Sequence, residues 1–250
     1  MMPGVMKHFH GGADIVRRRF RRIYINYFFA MNVLIFGATG SAGGSVLRAS
    51  LDSPAVEHVN VITRRPLKFS HAKLRVFPHG DFEDYGRIAE AFTGMDACFF
   101  CLGISVNQVS GESEYRKITH DFAIAAARAL RLHSPTAAFH YVSGGGTNEK
   151  SRMMWSRVKG ATERELISDF GAVCWRPAFI DGEVSENGLK LYNLLRPLFR
   201  VLKPFQAFYI AGKDLGKAMI QATIEGMRGR ILENREFHAL AARAPESGGG

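Results

Sequence analysis

Glycines stand at positions 37, 40 and 43 of the run Gly37-Ala38-Thr39-Gly40-Ser41-Ala42-Gly43. An apolar stretch over residues 32–36 precedes them, and a helical pattern follows over 44–51. In that setting each glycine has a use. Gly37 permits a sharp turn, Gly40 lets a ligand approach the backbone with no Cβ in the way, and Gly43 lets the helix pack closely on the strand. The helix start offers unbonded N–H groups and the positive end of its dipole, which suit phosphate. The chemistry implied is the binding of a dinucleotide pyrophosphate by residues 37–43.

A second group lies where the next apolar strand ends, at Thr63-Arg64-Arg65. A carboxylate at this place would hold the ribose 2′-hydroxyl of NAD and repel a 2′-phosphate. Guanidinium groups pair with that phosphate through charge-assisted bonds. Arg64 and Arg65 therefore point to NADP(H) as the preferred cofactor, with NAD(H) kept open. No metal site is read from the sequence.

The elements that must position these groups alternate along the chain. Apolar strand patterns fall at 32–36, 59–63, 74–77, 97–102, 138–143 and 172–176. Helical patterns fall at 44–51, 84–92, 114–130, 155–168 and 213–227, and 231–241 reads as extended, then helical. Continuous apolar strands between helices imply a parallel sheet covered on both faces. The class expected is α/β, a doubly wound Rossmann-like sheet, in one domain over 31–241. Residues 181–210 break the rhythm with an irregular apolar run that includes Tyr192, Leu195, Phe199 and Phe208. Residues 181–212 are read as a small C-terminal segment covering the substrate, and 242–250 as a flexible tail.

The net charge of +10 suggests nucleic acid at first sight. Its distribution argues otherwise. Residues 1–30 hold six basic groups against one acidic, and the remaining 220 hold 27 against 22. The folded part is only mildly basic, so the partner expected is a small-molecule substrate or a protein, and not nucleic acid. The first 30 residues have the Arg-rich, acid-poor composition of some organelle transit peptides. They are read here as a disordered extension or a start-site artefact ahead of Met31. Three cysteines, an odd number, argue against a disulfide framework and for a reducing compartment, with the cytoplasm expected. Cys98 and Cys101 form a C-x-x-C, but on a strand an offset of three sends the thiols to opposite faces. They are read as core residues. No stretch reaches the roughly 18–20 apolar residues of a membrane span. Oligomeric state is not legible.

The ordered series GATGSAG (37–43), TRR (63–65), HGDFED (79–84), CFFCLG (98–103), YVSGGG (141–146), VKGATE (158–163) and WRPAFIDG (175–182) resembles the extended and atypical short-chain dehydrogenase/reductase superfamily. The resemblance is strongest to its NAD(P)-binding, NmrA-like and Tat-interacting-protein-like oxidoreductase branch, and it runs from about residue 31 to 241. It implies that Asp81 lies near the adenine, and that Leu102 and Gly103 line the path to the nicotinamide. It implies too that Pro177 and Ala178 close over the nicotinamide end. The family's catalytic set is a serine after the fifth strand and a Tyr-x-x-x-Lys on the next helix. Ser143 and Lys159 match the serine and the lysine. Trp155 stands where the tyrosine belongs.

Positions four apart share a helix face. In the family arrangement the lysine lowers the phenol pKa and bonds the nicotinamide ribose, and the phenol moves the proton. An indole N–H donates but does not titrate usefully. Tyr115, Tyr141 and His140 are the nearer substitutes. Tyr141 and Ser143 point to one side of the strand and His140 to the other. His120 is read as a surface group, and the literal Tyr209-x-x-x-Lys213 as chance. Two readings stay open: an NADP(H)-dependent oxidoreductase on a small carbonyl or alcohol, or a non-catalytic NADP(H)-binding redox sensor or docking protein.

Overall fold

A computed structural model describes residues 30–182 and 207–245. The basic extension, most of the expected substrate-covering segment and the end of the tail lie outside those residues. Among the described residues, seven strands form one sheet: β1 (Met31–Phe36), β2 (Val56–Thr63), β3 (Leu74–Pro78), β4 (Ala97–Phe100), β5 (Ala138–Val142), β6 (Val173–Arg176) and a last strand, Arg230–Glu233. Two short strands, β7 (Phe179–Asp181) and β8 (Tyr209–Ala211), pair separately, so the last strand is β9. The order is β3-β2-β1-β4-β5-β6-β9, with every neighbouring pair parallel. The order reverses between β1 and β4. In doubly wound sheets, ligands bind at the carboxyl ends of the strands flanking that point.

Alternation along β1 explains the two-sided core. Val33 and Ile35 face a layer built from α1 (Ser41–Asp52) and the late helices, where Val46, Leu47, Leu215 and Phe237 are buried. Leu34 and Phe36 face the other layer, with Phe92, Ala123, Ile124 and Leu130. Strands buried on both faces have no polar side to show, which is why they read as unbroken apolar runs. Cys98 packs in the second layer and Cys101 against the first. Burial raises the Cys98 thiol well above its ordinary value and pushes Cys101 up to about 12, so neither forms a ready thiolate.

Three elements depart from the expected pattern. The helix α1 begins at Ser41, earlier than 44, because Gly43 and Gly44 are helical despite their low propensity. Residues 86–92 form a 3₁₀ helix, with the Gly86 amide bonded to Asp84 Oδ1 at 2.8 Å. The helix expected over 114–130 is three pieces: α2 (Glu112–Arg116), a π turn at Lys117–Asp121, and α3 (Phe122–His133). The π turn corrects the reading of His120 as a surface group. A wider turn shifts the helical phase, and His120 is buried. Its Nδ1 lies 2.7 Å from Asp121 Oδ1 and its Nε2 2.9 Å from Glu165 Oε2.

The remaining helices are α4 (Met154–Phe170), α5 (Gly212–Ile224) and α6 (Asn234–Ala241). Gly171 closes α4 in the left-handed conformation, at φ +62°. No helix among the described residues is long and apolar enough to cross a membrane.

Candidate functional site

The glycine turn is forced by close backbone contact. Gly37 sits at φ +76°, and a Cβ built there would stand 2.6 Å from the Cys101 carbonyl oxygen at the end of β4. A Cβ on Gly43 would lie 2.1 Å from the Gly37 carbonyl oxygen. The Gly37 carbonyl also accepts the Gly40 amide at 2.9 Å, closing the turn. The turn therefore leads straight from β1 into the start of α1, where the amides of Ser41, Ala42 and Gly43 begin the helix. No acidic residue occupies its first turn. A turn whose closest crossings are made by glycines, at a helix start without acids, fits a pyrophosphate.

A cleft runs from this turn to the end of β2. Gly37, Thr39, Thr63, Arg64, Arg65, Phe82 and Leu102 line it, together with Ile62. Thr63 shapes the bend: its hydroxyl donates to the Arg65 carbonyl at 2.9 Å and accepts the Arg65 amide at 3.2 Å. Arg64 and Arg65 are exposed, and neither guanidinium has a carboxylate partner among the described residues. Asp81 is exposed, and its Oδ1 accepts the Glu83 amide at 3.0 Å. Its neighbour Phe82 is the one that lines the cleft, a residue that sequence reasoning passed over.

The second half of the site forms after β5. Ser143 is buried, its amide bonded to the Trp175 carbonyl at 2.7 Å. Ser143 Oγ lies 3.2 Å from Thr147 Oγ1, and Thr147 Oγ1 donates to the Gly144 carbonyl at 2.7 Å. A hydroxyl has one proton to donate. With Thr147's proton on Gly144, Ser143 is the donor toward Thr147 and turns only lone pairs elsewhere. Thr147 was missed in the sequence because nothing local distinguishes it from any threonine after a glycine run.

Lys159 Nζ donates to the backbone carbonyls of Ser143 at 3.2 Å and Val142 at 3.4 Å, and lies 5.3 Å from the centre of the Tyr141 ring. Burial draws its pKa down to about 8, against the Glu163 carboxylate and the Cys174 thiol, which raise it. Trp155, one turn earlier, is half-buried. A Cβ built on Gly144 would stand 3.9 Å from both Lys159 Cδ and Trp155 Cζ3, and one on Gly146 3.9 Å from Trp155 Cη2. Ser143, Trp155 and Lys159 thus converge on one glycine loop. Pro177 joins it, accepting the Gly145 amide at 2.8 Å, and Ala178 packs beside Gly145. Gly103, by contrast, is exposed and lines no described cleft.

The end of β6 is tied to α4 by an ion pair that sequence reasoning also missed. Glu163 is buried and accepts Arg176 Nε at 3.0 Å and Arg176 Nη2 at 2.5 Å. Glu163 lies one helical turn after Lys159, a spacing that could have flagged it.

The other titrating candidates are accounted for. His140 Nδ1 accepts the Trp175 indole N–H at 3.1 Å, and its Nε2 meets Thr223 Oγ1 at 3.0 Å. Burial holds its pKa down at about 3, so it is neutral. Tyr141 is fully buried, with its hydroxyl on the Thr119 carbonyl at 3.4 Å and its pKa raised well above the ordinary value. Tyr209 donates to Asp181 Oδ2 at 2.8 Å. A larger cavity of about 560 Å³ opens between α1 and α5, lined by Arg48, Asp181, Lys213 and Lys217 among others; none of the residues of the glycine cleft or of the Ser143, Trp155 and Lys159 group borders it.

No family model matches the chain. Among curated proteins it is 30% identical over 163 residues to the Aspergillus clavatus "Protein fmp52, mitochondrial", covering 62% of this chain and 69% of that one. This chain belongs to the fmp52 family. The Eremothecium gossypii member, "Protein FMP52, mitochondrial", is 28% identical over 220 residues, covering 84% of this chain and 97% of its own. These names overturn the cytoplasmic placement expected from the sequence. Low cysteine usage reports a reducing compartment and does not tell cytosol from mitochondrion.

Among solved structures, the Bordetella bronchiseptica enzyme WbmF in complex with NAD+ superposes with a TM-score of 0.63 at 13% identity, covering 85% of this chain and 78% of that one. The Helicobacter pylori ADP-L-glycero-D-manno-heptose-6-epimerase superposes with a TM-score of 0.64 at 15% identity, covering 88% and 84%. At these identities the likeness is one of fold. The chain shares with them a Rossmann-like α/β fold.

Proposed function

We propose that this fmp52 relative is a mitochondrial NADP(H)-binding oxidoreductase acting on a small carbonyl or alcohol. One observation carries the reading: the side-chain-free crossing of Gly37 and Gly43 opens into a cleft that ends on Arg64 and Arg65. The residues on that path fit the cofactor. Residues 37–43 hold the pyrophosphate on the start of α1, and Arg64 and Arg65 pair with the 2′-phosphate. Leu102, Pro177 and Ala178 border the nicotinamide end. The bound cofactor supplies hydride. Lys159 holds the ribose, and Ser143 bonds the substrate oxygen by exchanging its Thr147 contact. The relatives' names support the mitochondrial placement.

Titration with NADPH and NADH tests the cofactor. NADPH is expected to bind about tenfold or more tightly, the value of one charge-assisted bond or better. The double substitution Arg64→Ala, Arg65→Ala should erase the difference and leave NADH affinity in place. Tighter NADH than NADPH in the wild-type protein sinks the assignment.

Lys159 adds a pH dependence. Its pKa of about 8 means that the ammonium is present below that pH and lost above it. NADPH affinity is therefore expected to fall as pH rises through about 8. Lys159→Arg, which stays charged, should flatten that profile. A wild-type profile flat from neutral pH to above 9 would remove Lys159 from cofactor binding. The stability sign is opposite. A depressed lysine pKa means the unfolded chain binds the extra proton, so this group's contribution rises from pH 8 toward 10.5.

A non-catalytic sensor is the second reading, and Trp155 in the tyrosine position favours it. NADPH binding at micromolar levels without turnover of any aldehyde, ketone or quinone would select it.

A further inference from the structure

The position that would carry a proton-donating phenol carries a flat, half-buried indole instead. The outer edge of its ring reaches Gly144 and Gly146, where a Cβ built on either would stand 3.9 Å from it, and its N–H has no hydrogen-bond partner among the described residues. No other phenol takes over. Tyr141 shows Lys159 its ring and sends its hydroxyl to Thr119, Tyr115 is buried, and Tyr209 is held by Asp181. The Ser143 hydroxyl donates toward Thr147 Oγ1, whose own proton goes to the Gly144 carbonyl. The site therefore offers an aromatic surface and a cation, Lys159, but no ready neutral acid.

We propose that the half-buried Trp155 indole, beside the glycine loop at its edge, forms a stacking surface for a planar quinone, and that quinones are the substrate class. The proposal rests on the oxidoreductase reading above. Its chemistry follows from what reduction leaves behind. Reducing a simple ketone leaves an alkoxide, which needs an acid inside the site. Reducing a quinone leaves a hydroquinone monoanion, a phenolate with a conjugate-acid pKa of about 10. Two electrons and one proton reach the quinone as hydride from NADPH, which leaves as NADP+. Water supplies the second proton, and the quinone departs as hydroquinone. An indole face favours an electron-poor ring by offset stacking. Lys159, which approaches the same Gly144, sets a cation beside the anion that forms.

The test compares two ten-carbon ligands. Duroquinone is planar, and its full substitution keeps it from alkylating thiols. Menthone is a saturated ketone. Each is titrated calorimetrically into the full chain, free and loaded with NADP+, and each is offered with NADPH for turnover. Duroquinone is expected to bind at least about tenfold more tightly than menthone, the scale of one aromatic contact. Trp155→Ala should remove that advantage while the melting temperature holds, and Trp155→Phe should keep most of it. Turnover should be seen with duroquinone and not with menthone. Equal binding of the two ligands, duroquinone binding indifferent to Trp155→Ala, or faster turnover of menthone would each overturn the proposal. Failure of NADPH to bind overturns the oxidoreductase reading instead. Titration of duroquinone into the free chain still decides the stacking surface in that case.

Discussion

Replacing Trp155 with tyrosine is expected to raise ketone reduction by about two to four orders of magnitude, the usual worth of a placed general acid. The geometry favours it. Trp155 and Lys159 stand one turn apart on α4 and approach the same Gly144, so a phenol at 155 would lie next to an ammonium. That ammonium would lower the phenol pKa, as a nearby opposite charge does. Ser143 is already on the loop and exchanges one weak contact, 3.2 Å to Thr147, to take a substrate oxygen. Steady-state rates with menthone and NADPH, for the wild-type protein and Trp155→Tyr, measure the effect. Duroquinone should gain much less, because its reduction does not wait on a site acid. If the menthone rate stays where it was, position 155 is not in the proton path.

Gly43→Ala is expected to abolish measurable cofactor binding, at least about a hundredfold loss, and to lower stability by about 1–3 kcal/mol through overpacking. The added methyl would meet the Gly37 carbonyl oxygen at 2.1 Å and its carbon at 2.5 Å. Both are backbone atoms, so no side chain can swing aside. Relief requires α1 to move off the end of β1, which breaks the phosphate cradle. Gly80→Ala is the matched control, since a Cβ there meets nothing within 4 Å. Calorimetric titration of NADPH, with thermal melts of all three proteins, makes the comparison. Wild-type affinity in Gly43→Ala would mean that the dinucleotide does not bind at this turn.

The contrast between these two positions shows what was legible. The glycine spacing is a local pattern: Gly43 is pressed by the Gly37 backbone six residues earlier, although Gly37 itself also meets the Cys101 carbonyl from the end of β4. The strands read correctly because burial on both faces leaves no polar residue to break the run. The His120 reading failed because it assumed a regular helical phase, and a π turn changes that phase. The compartment failed because cysteine usage reports redox conditions and not an address, and reading the Arg-rich, acid-poor residues 1–30 as an extension sets aside the transit signal that their composition also fits.

By itself the sequence determined the α/β order, the turn from β1 into α1, and the arginines at the end of β2. All three follow from period, propensity and neighbours along the chain. Only the tertiary structure decided what the site can do with a proton. It turned the Ser143 hydroxyl toward Thr147, pulled Lys159 toward pKa 8 by burial, and brought the edge of Trp155 to Gly144 and Gly146. It also joined Glu163 to Arg176 across thirteen residues. Those outcomes depend on burial and on which atoms from separate elements meet, and no spacing along the chain encodes either.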